Sequence, residues 1–343
     1  VADYRNLGRR GDLAVSALAL VLALWGMWRA RRQIGPDFPA LSRLEHWVHT
    51  GLRAAAYLSV VVTALIFFSV LTEAALFFQR ISLSEFLFGT RWSPQTAIRE
   101  GQVGASGFFG VLPLLAGTLM ITVIALAVAV PVGLLAAIYL NQYASGRIRR
   151  FGKPMLEILA GIPTVVYGFF AVITMAPFLR DAGAALGLDV ASESALAAGL
   201  VMGIMLIPLI SSLSDDAIQA VPERFRQASY GLGATPSETI TRVLLPAALP
   251  GIAGGVLLAT SRAIGETMIV VMAAGLAANL TLNPLATVTT MTVQIVALLV
   301  GDQTLDSTKT LAAFALSLTL FVFTLLLNMA ALMLVRRYRQ SYE

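Results

Sequence analysis

The sequence has no cysteine and only two histidines among 343 residues. Disulfide frameworks, thiol nucleophiles and thiolate metal sites are therefore excluded. His46 and His49 stand three residues apart with only Glu45 beside them, which reads as a surface pair rather than a metal cage. Charge is also scarce, at 13% of residues, where an ordinary soluble domain carries about a quarter. Lysine is nearly missing: of 24 Lys and Arg, only Lys153 and Lys309 are lysines. A phosphate loop of the form G-x-x-x-x-G-K-[ST] needs a lysine after its second glycine. Gly152-Lys153 follows Gly146 by one residue too many, and Pro154 stands where the hydroxyl belongs. The chain is not expected to be an enzyme that hydrolyses ATP. Its net charge of +5 does not point to nucleic acid either, because the cations flank apolar segments instead of alternating with aromatics on a polar face.

What is present is apolar, with 57% of residues hydrophobic and runs long enough to cross a bilayer recurring along the chain. Candidate spans occupy residues 13–28, 54–72, about 112–139, 158–179, 194–214, 243 onwards and 310–335. This predicts an all-α polytopic membrane protein with six core helices and one extra, shorter N-terminal helix. Residues 1–53 read as that helix and a linker, and 54–343 as the membrane domain with a polar loop at 215–246. Arg29, Arg31 and Arg32 follow the first apolar run where a cleaved leader would have small residues, so it reads as a retained anchor. The uncharged stretch 101–146 is too long for one helix, and its glycine-rich opening predicts a loop before a helix starting near Leu112. Asn283-Pro284 breaks another long stretch, leaving an apolar piece at 285–300 that dips into the membrane without crossing.

Lys and Arg accumulate on cytoplasmic flanks. Arg29, Arg31, Arg32, Arg43 and Arg53 fall on the same side as Arg147, Arg149, Arg150 and Lys153, as Arg224, Arg226 and Arg242, and as Arg336, Arg337 and Arg339. The opposite loops hold only Arg80, Arg91, Arg99, Arg180 and Lys309. Six core spans with both ends inside follow from this. The extra helix then places Arg5, Arg9 and Arg10 outside, against the rule.

The loop 215–246 reads as two short helices meeting at a defined corner. Pro222 suits a first helical position, Gly233 a helix C-terminus, and Thr235-Pro236-Ser237-Glu238 a capping box. Pro246 bounds the second helix. The loop is either an ordinary interfacial connector or a rigid face presented to a partner. Asp215-Asp216, at the membrane boundary, reads as a solvated helix end.

Within the span after Pro246 and Pro250 lies Ser261-Arg262-Ala263-Ile264-Gly265-Glu266-Thr267. A spacing of four places Arg262 and Glu266 on one helix face. Each charge at membrane depth costs about 2.5–3.5 kcal/mol on insertion scales, so such a pair is a functional hypothesis by default. The alternative is a mutually neutralising pair that orients the helix. An arginine in a translocation path suits an oxyanion, because its planar fork matches the oxygens and its charge survives desolvation. Glu266 would release Arg262 when the anion arrives.

Gln227-Ala228-Ser229, then three residues, Gly233, nine residues and Val243-Leu244-Leu245-Pro246 resembles the EAA loop of binding-protein-dependent ABC importer permeases. Gln227 replaces the family's glutamate and Ser229 its second alanine. Arg262-Ala263-Ile264-Gly265-Glu266-Thr267-Met268 narrows the resemblance to the phosphate-specific importer permeases, and Met268 to their C-type subunit. Gly117-Thr118, Pro131-Val132-Gly133 and Gly161-Ile162-Pro163-Thr164-Val165-Val166-Tyr167-Gly168 extend it over residues 110–337. The resemblance implies the type I ABC importer transmembrane fold, in a bacterial cytoplasmic (inner) membrane. It implies a coupling surface made of Arg226, Gln227, Ala228, Ser229, Gly233, Thr235, Glu238 and Pro246, and a substrate path using Arg262 and Glu266. Thr267, Thr164 and Tyr167 are path-lining candidates that also suit helix packing. The implied partners are ABC ATPase subunits holding ATP and Mg, a second homologous permease, a periplasmic or extracellular phosphate-binding protein, phosphate and membrane lipid. No cofactor and no nucleic acid is expected on this chain.

Three rivals differ from this reading. A sulfate or molybdate permease would keep the loop but not the Arg-Ala-Ile-Gly-Glu-Thr run. A secondary transporter or channel would show inverted repeats or rings of charge. A membrane enzyme would bring carboxylates, His or Cys to face one another in the spans.

Overall fold

The computed structural model describes residues 2–33, 40–94, 107–300 and 307–339. Two compact units are distinguished, Val1–Phe67 and Phe68–Glu343. The first contains α1 (Ala2–Gln33) and most of α2 (Ala40–Arg80). On α1, the guanidinium of Arg32 lies 3.8 Å over the ring of Trp28, a cation–π pair of the kind found where apolar and polar surroundings meet.

The second unit continues with α3 (Leu83–Phe88), a two-residue antiparallel ribbon of β1 (Trp92–Ser93) and β2 (Phe108–Phe109), α4 (Leu112–Tyr143), α5 (Gly146–Ala160), α6 (Thr164–Ala185) and α7 (Ala195–Gln219). The short helix α8 (Glu223–Gly231) leads into α9 (Pro236–Ile264), followed by α10 (Met268–Ala273), α11 (Met291–Leu299) and α12 (Thr308–Arg339). Among the described residues six helices are long and apolar enough to cross a membrane: those at α2, α4, α6, α7, α9 and α12. These are the six core spans expected; the shorter apolar run is Ser16–Arg29 on α1. The helix α4 does start at Leu112, although the glycine-rich approach to it lies partly outside the described residues. At nine residues, or about 14 Å, α11 is too short to cross.

The central pair is α4 against α7. It packs closely because Gly199 and Gly203 of α7 face Ile124, Ala125 and Val128 of α4, while Gly133 of α4 faces Ile210. Where lipid offers no hydrophobic drive between helices, such small residues let backbones approach and gain dispersion contacts. Ile121, Met202, Leu206, Ile210, Ile269 and Val270 fill the core around this pair. A second cluster at the other end joins Phe77, Phe86, Trp92 and Phe109 to Met291 and Leu311, its rings meeting edge to face, as for Phe77 and Phe86 at 5.5 Å.

Two expected boundaries shift. The span expected from residue 158 begins instead at Thr164, because Gly161-Ile162-Pro163 ends α5 and Pro163, with no N–H to donate, caps the next helix. Pro246 does not bound a helix. Ile240–Leu244 form a π turn, and this wider turn takes up the place where proline breaks the usual ladder, so α9 runs on through Pro246 and Pro250.

Candidate functional site: a capped corner and a charged cavity

The corner between α7 and α9 is locked by local chemistry. The helix α8 ends in a Schellman arrangement: Gly233 N–H donates to the Tyr230 carbonyl at 2.9 Å and Ala234 N–H to that of Ser229 at 3.2 Å. Gly233 has φ +82°, a left-handed conformation that side chains disfavour. The expected capping box is present. Thr235 N–H donates to Glu238 Oε2 at 2.9 Å, and Glu238 N–H to Thr235 Oγ1 at 3.4 Å. Pro222 caps α8 one residue before the expected position. Ser229, which replaces the family's alanine, is buried and shares a 2.8 Å hydrogen bond with Thr239 Oγ1. Gln227 and Ala228 are exposed, while Arg226 pairs with Glu223 at 3.7 Å on the same helix. Sequence reasoning did not single out Leu232, which is 90% exposed just after α8, on which Phe225 and Tyr230 are also exposed. Phe225, Tyr230 and Leu232 thus leave three apolar side chains exposed on this corner.

Arg262 and Glu266 do not share a helix face. The helix α9 ends at Ile264 with Gly265 as its cap, so Glu266 lies beyond the last turn. Glu266 is buried, and its Oε1 accepts from the N–H groups of Thr267 (3.2 Å), Met268 (3.0 Å) and Ile269 (3.4 Å). The carboxylate thus caps α10, where orphan N–H groups and the positive end of the helix favour it. Its backbone carbonyl accepts from the Thr292 hydroxyl at 2.9 Å, tying the break between α9 and α10 to α11. The expected resting ion pair is absent among the described residues. Arg262 is exposed on the last turn of α9, and no described acid lies within ion-pair distance of it.

The guanidinium faces a cavity of 240 Å³ between α4, α5, α7 and α9. The sequence reading missed the cluster at its far end. Asp215, expected as a solvated helix end, is buried; Asp216 is the exposed member of that pair. The Asp215 carboxylate accepts from Lys153 Nζ at 2.9 Å, from Gln219 Nε2 at 2.7 Å and from Asn141 Nδ2, with Arg149 at 3.7 Å. Residues from α4, α5 and α7 thus converge on one carboxylate. The hydrogen bond to Asp215 raises the Lys153 ammonium above its ordinary pKa against the opposing effect of burial, so it is charged at neutral pH. A 62-residue separation between Lys153 and Asp215 hid this pair from any local pattern.

Of the remaining path candidates, Tyr167 is buried and donates its hydroxyl to the Leu159 carbonyl at 2.9 Å. It clamps α5 to α6 across the Gly161–Pro163 break, which is a packing role. Thr164 is half-buried at the start of α6. The Thr267 hydroxyl reaches only the Gly265 carbonyl, at 3.4 Å.

Apolar spans around a charged cavity, joined by a capped corner, define a multi-pass membrane transport subunit. The model of the binding-protein-dependent transport system inner membrane component family matches residues 129–340, and the chain belongs to that family. It is 33% identical over 249 residues to the probable ABC transporter permease protein YqgH of Bacillus subtilis, covering 72% of this chain and 75% of that one. It is 34% identical over 287 residues to the phosphate transport system permease protein PstC 1 of Mycobacterium tuberculosis, covering 76% and 84%. Its fold resembles that in the crystal structure of a bacterial ABC transporter involved in the import of the acidic polysaccharide alginate. The TM-score is 0.58 at 17% identity, over 86% of this chain and 99% of that one. The resemblance read from the loop and the Arg262 motif is thereby borne out at the level of family and fold.

Proposed function

We propose that this chain is the C-type permease subunit of an ATP-driven importer, carrying inorganic phosphate inward across the cytoplasmic membrane by alternating access. The observation that carries the reading is Arg262: a guanidinium with no described acidic partner, on a cavity wall inside a span, in a chain similar over most of its length to a phosphate permease. A planar, permanently charged fork binds a tetrahedral oxyanion through paired, charge-assisted hydrogen bonds. Glu266 acts by holding the start of α10, and so the break in the chain just beyond Arg262, rather than by exchanging with the anion.

ATP and Mg belong to separate ABC ATPase subunits, which seat the corner formed by Gln227, Ala228, Gly233, Thr235 and Glu238, with Leu232 at its tip. The Schellman turn and the capping box make this corner stiff enough to carry movement into α7 and α9. A second, homologous permease completes the pore, and a periplasmic or extracellular phosphate-binding protein delivers the ion.

The test is uptake by the assembled complex in proteoliposomes, with ATP on the corner side and labelled phosphate presented by the binding protein. Phosphate uptake that stops without ATP and resists competition by sulfate supports the reading. Sulfate or molybdate uptake with no phosphate uptake assigns the permease to another oxyanion. Transport without any ATPase overturns the coupling.

A further inference from the structure

The cavity wall that holds Arg262 continues to two more cations. Close packing sets the register of α9 on α7: Gly251 faces Ala217 and Gly255 faces Leu213. Continuing this antiparallel register brings Arg262 level with Leu206. Asp215 lies nine residues further along α7, about 14 Å towards the corner. The cavity follows the same line, from Met205 to Asp215, and Arg149 and Lys153 line its corner end.

The charge arrangement there is lopsided. The Asp215 side chain is 8% exposed, whereas those of Arg149 and Lys153 are each 40% exposed. One buried carboxylate thus stands beside two cations whose side chains remain partly exposed. Glu157 is the other acid on the wall, so the lining carries three cations and two carboxylates. A latch that only joined α5 to α7 would need one cation, with no opening onto the space that Arg262 faces. Lys153 at 2.9 Å satisfies Asp215 already, and Arg149, at 3.7 Å, is too distant for a hydrogen bond to it.

We propose that Arg149 and Lys153 form a second oxyanion station, between Arg262 and the cytoplasm, with Asp215 as the resident anion that the arriving ion displaces. The proposal rests on the reading of this chain as a phosphate permease. An ion leaving Arg262 meets two charge-assisted donors further along the same cavity, towards the corner. The tethered carboxylate competes for them, so the station holds phosphate weakly enough to release it. Conduction through successive sites requires this balance. The station is also filled from the cytoplasmic side, so phosphate accumulated inside occupies it and slows the next cycle.

The experiment uses the complete complex in proteoliposomes with ATP and graded inorganic phosphate enclosed, and reads the initial rate of labelled phosphate uptake. The expected wild-type result is inhibition by internal phosphate. Arg149→Gln with Lys153→Gln should raise the half-inhibiting concentration roughly tenfold or more, as expected for lost charge-assisted bonds. Asp215→Asn keeps the shape and removes the competitor, so it should lower that concentration while slowing maximal uptake. Lys153→Arg should restore near wild-type inhibition. Opposite shifts in the two neutralised variants support the station, because a purely structural cluster would respond to both in the same way. If the double variant fails to assemble, Arg149→Gln alone, which leaves the 2.9 Å bond between Lys153 and Asp215 in place, is set against Asp215→Asn by the same criterion. Shifts in the same direction, or inhibition unchanged from wild type, overturn the station while the permease reading stands. A wild-type complex that carries no phosphate overturns both.

Discussion

Ser229 and Thr239 meet through a buried 2.8 Å hydrogen bond that closes the corner between α8 and the start of α9. The two hydroxyls pair with one another in a buried position. The serine is therefore matched to its neighbour, and a coupling surface can carry it in place of alanine. Removing one partner strands the other, at a penalty of about 1–3 kcal/mol, whereas removing both is close to neutral. Ser229→Ala is expected to lower the unfolding temperature of the purified complex, and Ser229→Ala with Thr239→Val to recover most of the loss. Equal temperatures for the single and double variants would show that the pair is not coupled.

Gly233 has open space where a side chain would project, so backbone conformation alone decides what it tolerates. At φ +82° a β-branched residue is strained by roughly 1–2 kcal/mol. Gly233→Val should distort the Schellman turn and raise the ATP consumed per phosphate carried, with the basal hydrolysis rate kept. An unchanged ratio would count against the corner as the transmitting element.

Arg262 and Glu266 predict different phenotypes despite their four-residue spacing. Arg262→Gln removes charge-assisted bonds worth about 1.5–3 kcal/mol each, so phosphate uptake should fall roughly 10- to 100-fold per lost bond without loss of stability. Glu266→Gln retains an acceptor for the α10 amides and should stay within a few-fold of wild-type uptake. Glu266→Ala loses the cap and about 1 kcal/mol of stability. Uptake and thermal unfolding measured together separate these cases. Equal loss of transport in Arg262→Gln and Glu266→Gln would favour a functional ion pair instead.

Tyr167→Phe tests the clamp between α5 and α6. Its ring stays packed while the bond to the Leu159 carbonyl is lost. A loss of about 1 kcal/mol in stability is expected, with phosphate affinity unchanged. A weakened apparent affinity for phosphate would return Tyr167 to the path.

The helices were largely legible because their signals are local. Hydropathy and flanking charge located six spans, and Gly233 and the Thr235–Glu238 box located the corner, since caps act within four residues. The errors arose where a local rule met a longer-range one. Helical spacing paired Arg262 with Glu266, but Gly265 closes α9 and the buried amides of α10 claim the carboxylate. Proline chemistry placed a boundary at Pro246, but a π turn just before it accommodates the ring.

The sequence alone determined that this chain lives in a membrane, where its six long apolar helices fall, where it carries a capped elbow and which family it belongs to. Each of these depends on composition, periodicity or short motifs, whose energetics are settled among near neighbours. Only the tertiary structure decided that Asp215 is buried among Asn141, Arg149, Lys153 and Gln219, and that Arg262 faces the same cavity. The physical reason is that Asn141, Lys153 and Asp215 come from three helices distant in sequence, which meet only when those helices pack. A charge at membrane depth must find a partner or a cavity, and which of the two it finds is settled by packing.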